Sequence, residues 1–133
     1  MEGAGMVIKA DGRIFRGQWK AGNPEGPCTF FTKGGIASVL QYEAGKAEGK
    51  CTFDDGSVYD GSWVGTNRQG NGRLTKKGYS YQGEWQNDVR HGKGTETEDG
   101  YVRRGTFIHD RKVGTFLVYQ VSYPDNVYTI NYD

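Results

Sequence analysis

The chain lacks most of what helical bundles and doubly wound sheets are built from. Only 35% of its 133 residues are hydrophobic, and few of these are aliphatic. No stretch approaches the ~20 apolar residues of a membrane-spanning helix, and no segment carries apolar residues at a 3.6-residue period. Charge of one sign is missing too: 17 basic and 16 acidic residues leave +1 overall. No overall field therefore recruits nucleic acid or an anionic membrane. Two cysteines are too few for a disulfide scaffold. Met1-Glu2-Gly3-Ala4-Gly5 offers neither a basic nor an apolar leader. Both features point to a reducing, cytoplasmic setting.

Chemistry-bearing patterns are equally scarce. There is no nucleophile elbow, phosphate-cradling glycine loop or Cys–His pairing. Asp54, Asp55 and Asp99 stand where turns expect aspartate, and nothing around them or around Glu96 and Glu98 forms a pocket for acid–base work. His91 and His109 occupy corresponding loops eighteen residues apart, with Asp88 and Asp110 nearby. No third and fourth nitrogen or sulfur ligand stands at metal-site spacing. The expectation is a protein without catalysis, metal or cofactor.

What the chain does have is glycine, 22 residues, and aromatic rings, 14% of the total. They recur in phase. Phe15-Arg16-Gly17-Gln18-Trp19, Tyr59-Asp60-Gly61-Ser62-Trp63 and Tyr81-Gln82-Gly83-Glu84-Trp85 share one pattern. Arg103-Arg104-Gly105-Thr106-Phe107 is a looser copy, and Ser38-Val39-Leu40-Gln41-Tyr42 the loosest. The closing ring falls at 19, 42, 63, 85 and 107, and a glycine follows seven residues later at 26, 49, 70, 92 and 114. Two residues beyond come Cys28, Cys51, Gly72 and Gly94, then Phe116, which departs from the pattern. Most units close on a turn pair such as Asp55-Gly56, Lys77-Gly78 or Asp99-Gly100. A period near 22 residues is the mark of a repeat architecture.

Each unit reads as a β-hairpin. Alternation sets Tyr81, Gly83 and Trp85 on one face and Gln82, Glu84 and Gln86 on the other. Small residues on the next strand leave room for rings to lie across them, which accounts for glycine inside strands that it otherwise weakens. Asp-Gly supplies the positive φ of tight hairpin turns. Cys28 and Cys51, at equivalent places two strand spacings apart, are about 9–10 Å from each other. A disulfide needs Cα atoms within about 7 Å, so both are expected as free thiols.

These residues resemble the MORN repeat (membrane occupation and recognition nexus): Tyr-x-Gly-x-Trp, a polar stretch, Gly-x-Gly and a closing Asp-Gly. The match is close in the third and fourth units, where Arg90-His91-Gly92-Lys93-Gly94 also fits. It is weaker in the first and fifth and poor in the second, and it runs from Gly3 to about Gly114. The implied fold is all-β: a single-layer, curved antiparallel meander of five to six hairpins forming one domain over 1–133. Residues 1–12 read as a partial first unit, since Gly3-Ala4-Gly5 and Asp11-Gly12 form a second half-unit. Residues 13–114 are the repeats, and 115–133 a capping hairpin turning at Asp125-Asn126.

With no helix or second sheet expected over the ring face, Phe15, Trp19, Tyr42, Tyr59, Trp63, Tyr81, Trp85 and Phe107 read as an exposed aromatic stripe for a partner protein segment. The resemblance implies an adaptor in cytoskeletal, ciliary or membrane-contact assemblies. An alternative is a phospholipid-headgroup binder using Arg68, Arg73, Lys76, Lys77, Arg90, Lys93, Arg103 and Arg104, for residues 67–113 carry ten basic and six acidic groups. Another is a regulatory fragment of a larger enzyme. The C-terminal edge, with Tyr128, Ile130 and Tyr132 on one face, lacks the lysine or proline that blunts natural edges. It reads as a site of homodimer pairing.

Overall fold

The computed structural model describes residues 2–133, and their side chains apart from those at 36 and 37. Twelve antiparallel strands follow one another as a meander: β1 (Gly3–Ile8), β2 (Ile14–Lys20), β3 (Asn23–Thr32), β4 (Gly35–Tyr42), β5 (Lys46–Thr52), β6 (Val58–Val64), β7 (Asn67–Lys76), β8 (Tyr79–Gln86), β9 (Val89–Glu98), β10 (Tyr101–Ile108), β11 (Arg111–Gln120) and β12 (Tyr123–Tyr132). Each strand pairs with its neighbours in the chain, as local hairpin turns dictate, except at the β4–β5 junction. Tight turns have positive φ where the repeat put Asp and Gly: Asp99 at 51° and Gly100 at 81°.

Rings and glycines make the repeat cohere. A Cβ on Gly72 would lie 2.2 Å from the Tyr59 hydroxyl, and one on Gly94 would lie 2.4 Å from Tyr81 Cε1. Each tyrosine thus lies over the glycine of the following strand. Its phenol donates to a backbone carbonyl three residues on, Tyr59 to Ser62 at 2.8 Å and Tyr81 to Glu84 at 2.9 Å. Successive units interlock edge to face: Tyr59 meets both Trp63 and Trp85, with centroids 5.2 Å away in each case, and Tyr81 meets Trp85 at 5.4 Å and Phe107 at 5.0 Å. Phe107 passes the contact to Phe116, and Phe116 to Tyr132.

The meander is not one uninterrupted sheet. Strands β1–β4 form one ladder and β5–β12 another, and among the described residues the only β-bridge between them joins Glu43 and Lys46. The break falls in the second unit, whose first ring and central glycine are replaced by Ser38 and Leu40. Leu40 fills the space above Gly49, where a Cβ would lie 2.5 Å from its Cδ2. At this corner the chain folds back. Four strand spacings separate β2 from β6, about 19 Å if the sheet were flat, yet Phe15 and Trp63 stand 5.8 Å apart. Phe30 reaches Trp63 at 6.2 Å and Phe53 at 5.8 Å. The first sheet therefore supplies the cover over the ring face that the expected single layer left out.

One further reading changes, and the expectation of free thiols holds. The last hairpin turns at Val121-Ser122, with Gln120 opposite Tyr123, and Asp125-Asn126 lies inside β12. Turns stack on turns: the Val121 amide donates to the Gly100 carbonyl at 2.8 Å, as Asp110 does to Arg90 and Asp88 to Arg68. That stacking holds the final turn 22 residues after Asp99-Gly100. Cys28 and Cys51 are buried free thiols, and burial pushes each up to about 11.

A Cβ on Gly83 would sit 2.5 Å from the Lys93 carbonyl oxygen and 2.6 Å from the Gly94 Cα, both backbone atoms that cannot swing away. Gly83→Ala should cost about 1–3 kcal/mol, lowering the melting temperature by roughly 5–15 °C. At Gly34 the nearest atom lies 3.8 Å away, so Gly34→Ala should melt within a degree or two of the parent. Equal melting of the two variants would contradict the ring-and-glycine packing.

A candidate docking groove on the inner face

Call the face carrying the rings the inner one. Phe15, Tyr59, Trp63, Tyr81 and Phe107 are fully buried there, and Tyr42, Trp85 and Trp19 are 4–6% exposed. The expected exposed stripe is instead the protein's core, because the folded-back first sheet, the interlocked rings and the arginines above them cover it. Tyr42 is further fixed by its hydroxyl, which donates to the Gly65 carbonyl at 2.5 Å.

The arginines follow the same period as the rings. Arg68 lies over Trp85 at 4.7 Å, and Arg90 over Phe107 at 4.8 Å. Each reaches the aspartate of the following turn: Arg68 Nε to Asp88 Oδ1 at 2.8 Å, and Arg90 Nε to Asp110 Oδ1 at 2.5 Å. Their NH2 groups donate to the carbonyls of the same aspartates. Lys112, one period on, stands over Tyr132. Glu96, 2% exposed, gathers Arg90 at 3.0 Å, Lys112 at 3.2 Å and the Tyr79 hydroxyl at 2.9 Å. Burial would raise its pKa, but the tyrosine hydrogen bond and the Lys112 charge outweigh burial and hold it low.

At the near end the β1–β2 turn closes over this network. Arg13, buried, pairs with Asp88 and also with Asp11, while the Lys9 ammonium donates to Thr66 and Asn67. Desolvation would lift the Asp88 carboxyl, but the Arg13 hydrogen bond and the charges of Arg68 and Arg13 win and bring it to about 2. Beyond that turn the inner face opens into a cleft of about 440 Å³, lined by Arg68, Leu74, Lys76, Tyr79, Trp85, Asp88, Arg90, Glu96, Glu98, Asp110 and Lys112.

The eight cations read as a headgroup site do not converge. Arg68, Lys76, Arg90 and Arg103 belong to the inner face, and three of them are held by carboxylates there, Arg103 by Glu96 and Glu98 at 3.5 and 3.7 Å. Lys76 lies over the Tyr79 ring. Arg73, Lys93 and Arg104 belong to the outer face, and Lys77 sits in a turn. Strand alternation divides neighbours such as Arg103 and Arg104 between faces. Asp88 and Asp110 are engaged by arginines, and His91 and His109 pack at a tilt with centroids 5.2 Å apart. Among the described residues no group of three metal-ligand side chains occurs. The 22-residue steps Arg68–Arg90–Lys112 and Asp88–Asp110 are the sequence signal of this groove.

Fold and groove define a β-repeat protein: a hairpin array whose inner face, past the first sheet, is a charged trough. The family model of the MORN repeat matches residues 15–36, 41–58, 59–79 and 81–100, more than half of the chain, and the chain belongs to the MORN-repeat family. The fifth unit, around Phe107, lies outside the matched residues. A comparison with curated proteins returns no match. MORN repeats are in general modules of protein or membrane interaction. Among the described residues no helix is long and apolar enough to cross a membrane.

The Asp88 ion pairs set a pH dependence. A carboxyl depressed in the folded state stabilises it above the unfolded pKa, near 4, and that contribution is lost as pH falls through the folded value of about 2. Stability from denaturant titration should thus be flat from pH 7 to 5 and fall by ~2 kcal/mol from this group between about 4 and 2. Asp88→Asn should lower stability at pH 7 and flatten that acid limb. An unchanged limb would deny Asp88 its role.

Proposed function

We propose that the chain is a non-catalytic docking module whose inner trough over β7–β11 receives a segment of another protein. The observation that carries this reading is the cleft itself, a charged trough on a rigid sheet that the first sheet leaves uncovered. Its lining alternates in sign, with Lys76 and Lys112 beside Glu98 and Asp110. Such a surface selects a segment by the pattern of its charges more than by apolar area. An adaptor role in a cytoskeletal or membrane-contact assembly accords with that chemistry. Division of the basic residues between two faces weighs against the headgroup reading, which needs them together. For the test, Glu98→Arg/Asp110→Arg inverts two exposed walls of the trough, and Gln82→Arg alters the outer face alone. Proteins captured by the parent and by Gln82→Arg should be lost with the double variant and should crosslink to a photoreactive group at Lys76. Retention by the double variant would overturn the trough as the docking site.

The exposed last strand supports self-association as a second reading. Among the described residues β12 pairs only with β11, and its inner-face Tyr128 and Ile130 remain 48% and 38% exposed beside buried Phe116 and Val118. Pairing of β12 with a second copy would extend the sheet and cover these side chains. Light scattering at high micromolar concentration should then give a dimer that Ile130→Lys returns to monomer. A monomeric parent would remove this reading.

A further inference from the structure

The outer face, which the docking reading does not use, carries one feature of its own. Arg73, Gln82, Thr95 and Arg104 stand directly opposite one another on four consecutive strands, β7 to β10. The two guanidinium groups are three strand spacings apart at the backbone, about 14 Å, close enough for both arms to lean over the strands between them. Neither forms an ion pair among the described residues, in contrast to Arg13, Arg68, Arg90 and Arg103. Between them lies a shallow depression of about 400 Å³, with Ser80 and Thr97 completing a floor of hydroxyl and carboxamide groups. The floor is sheet, so the geometry is held by eight-residue and ten-residue strands and not by loops.

We propose that Arg73 and Arg104 form a two-armed clamp for one phosphate monoester, carried on a phosphorylated serine or threonine of a partner segment. Guanidinium groups pair with phosphate oxygens in fork geometry and make the stronger class of hydrogen bond. The hydroxyl and carboxamide floor offers both donors and acceptors, which suits the peptide groups beside a phosphorylated residue. A membrane is the poorer occupant. Adhesion to anionic lipid grows by about 1 kcal/mol per cation near the surface, and here Glu48, Asp60 and Glu84 are interspersed with Lys50, Arg73, Lys93 and Arg104. Asp60, directly across from Arg73, tempers that arm and repels a second anion. The site thus favours a single, strongly charged group over a diffuse negative surface.

The experiment is an amide chemical-shift titration of the whole chain with a short neutral peptide bearing one central phosphoserine. Its serine counterpart and vesicles containing a phosphoinositide serve as the other arms. The phosphopeptide should move the amides of Arg73, Gln82, Thr95 and Arg104 and bind at least about tenfold tighter than the serine peptide. Arg73→Gln/Arg104→Gln should remove that difference, Asp60→Asn should tighten binding, and Lys77→Gln should leave it unchanged. The substituted side chains Asp60, Arg73, Lys77 and Arg104 are exposed, so the fold does not depend on them. Equal affinity for both peptides, or full affinity in the double arginine variant, would overturn the clamp. Binding to vesicles without binding to the phosphopeptide would also overturn it and assign the outer face to a membrane.

Discussion

Everything in this molecule depends on one contact, an aromatic ring laid over a glycine of the next strand. Glycine inside a strand costs roughly 0.5–1 kcal/mol relative to alanine. A ring that buries 150–250 Å² returns about 4–6 kcal/mol at the usual area coefficient, so the exchange favours glycine wherever a ring needs the space. Because Tyr59 touches both Trp63 of its own unit and Trp85 of the next, the same contact joins units as well as strands. A single-layer array thereby gains a core without a second layer over most of its length.

The exception is where the first sheet doubles back. Its origin was present in the sequence as the poor second unit, with Ser38 and Leu40 in place of ring and glycine, yet its consequence was not legible. A missing glycine announces that a ladder cannot continue unchanged; it does not say in which direction the chain then turns. That direction follows from Phe15 and Phe30 meeting Trp63 and Phe53, contacts made two to four strands away. Local pattern specified the hairpins, their turns and the free thiols well, because each depends on neighbours in the chain. The reading of the stripe as exposed failed because cover came from residues distant in sequence.

The groove was hidden for a different reason. Arg68 and Arg90 are conspicuous as charges, and a tally of charge placed them with Arg73 and Arg104. Period and parity separate them. Positions five beyond each closing ring, 68, 90 and 112, fall on the inner face above the next ring, while Arg73 and Arg104 alternate outward. An arginine stacked at 4.7 Å on Trp85 and tied to Asp88 joins one unit to the next and is no longer free to meet an outside anion. Removal of either partner would leave a largely desolvated charge unmatched, which is destabilising. Such pairs consequently fix the spacing of the units that the rings hold together.

It follows that the two faces of one sheet do separate work with residues adjacent in the chain. Inside, cations are neutralised by Asp88, Glu96 and Asp110, so what the trough offers is a pattern of sign with little net attraction. Outside, Arg73 and Arg104 form no ion pair among the described residues, and the side chains between them, Gln82 and Thr95, are neutral. A partner drawn by one strong anion is suited to the outer face, and a segment of matched, alternating charge to the inner one. The strand's two-residue alternation makes this division automatic. A change that slips the register by one residue would exchange the faces, burying Arg73 against the rings and expelling Tyr59 to solvent. The ring-and-glycine contact thus protects the surface chemistry as well as the core, since it is what forbids the slip.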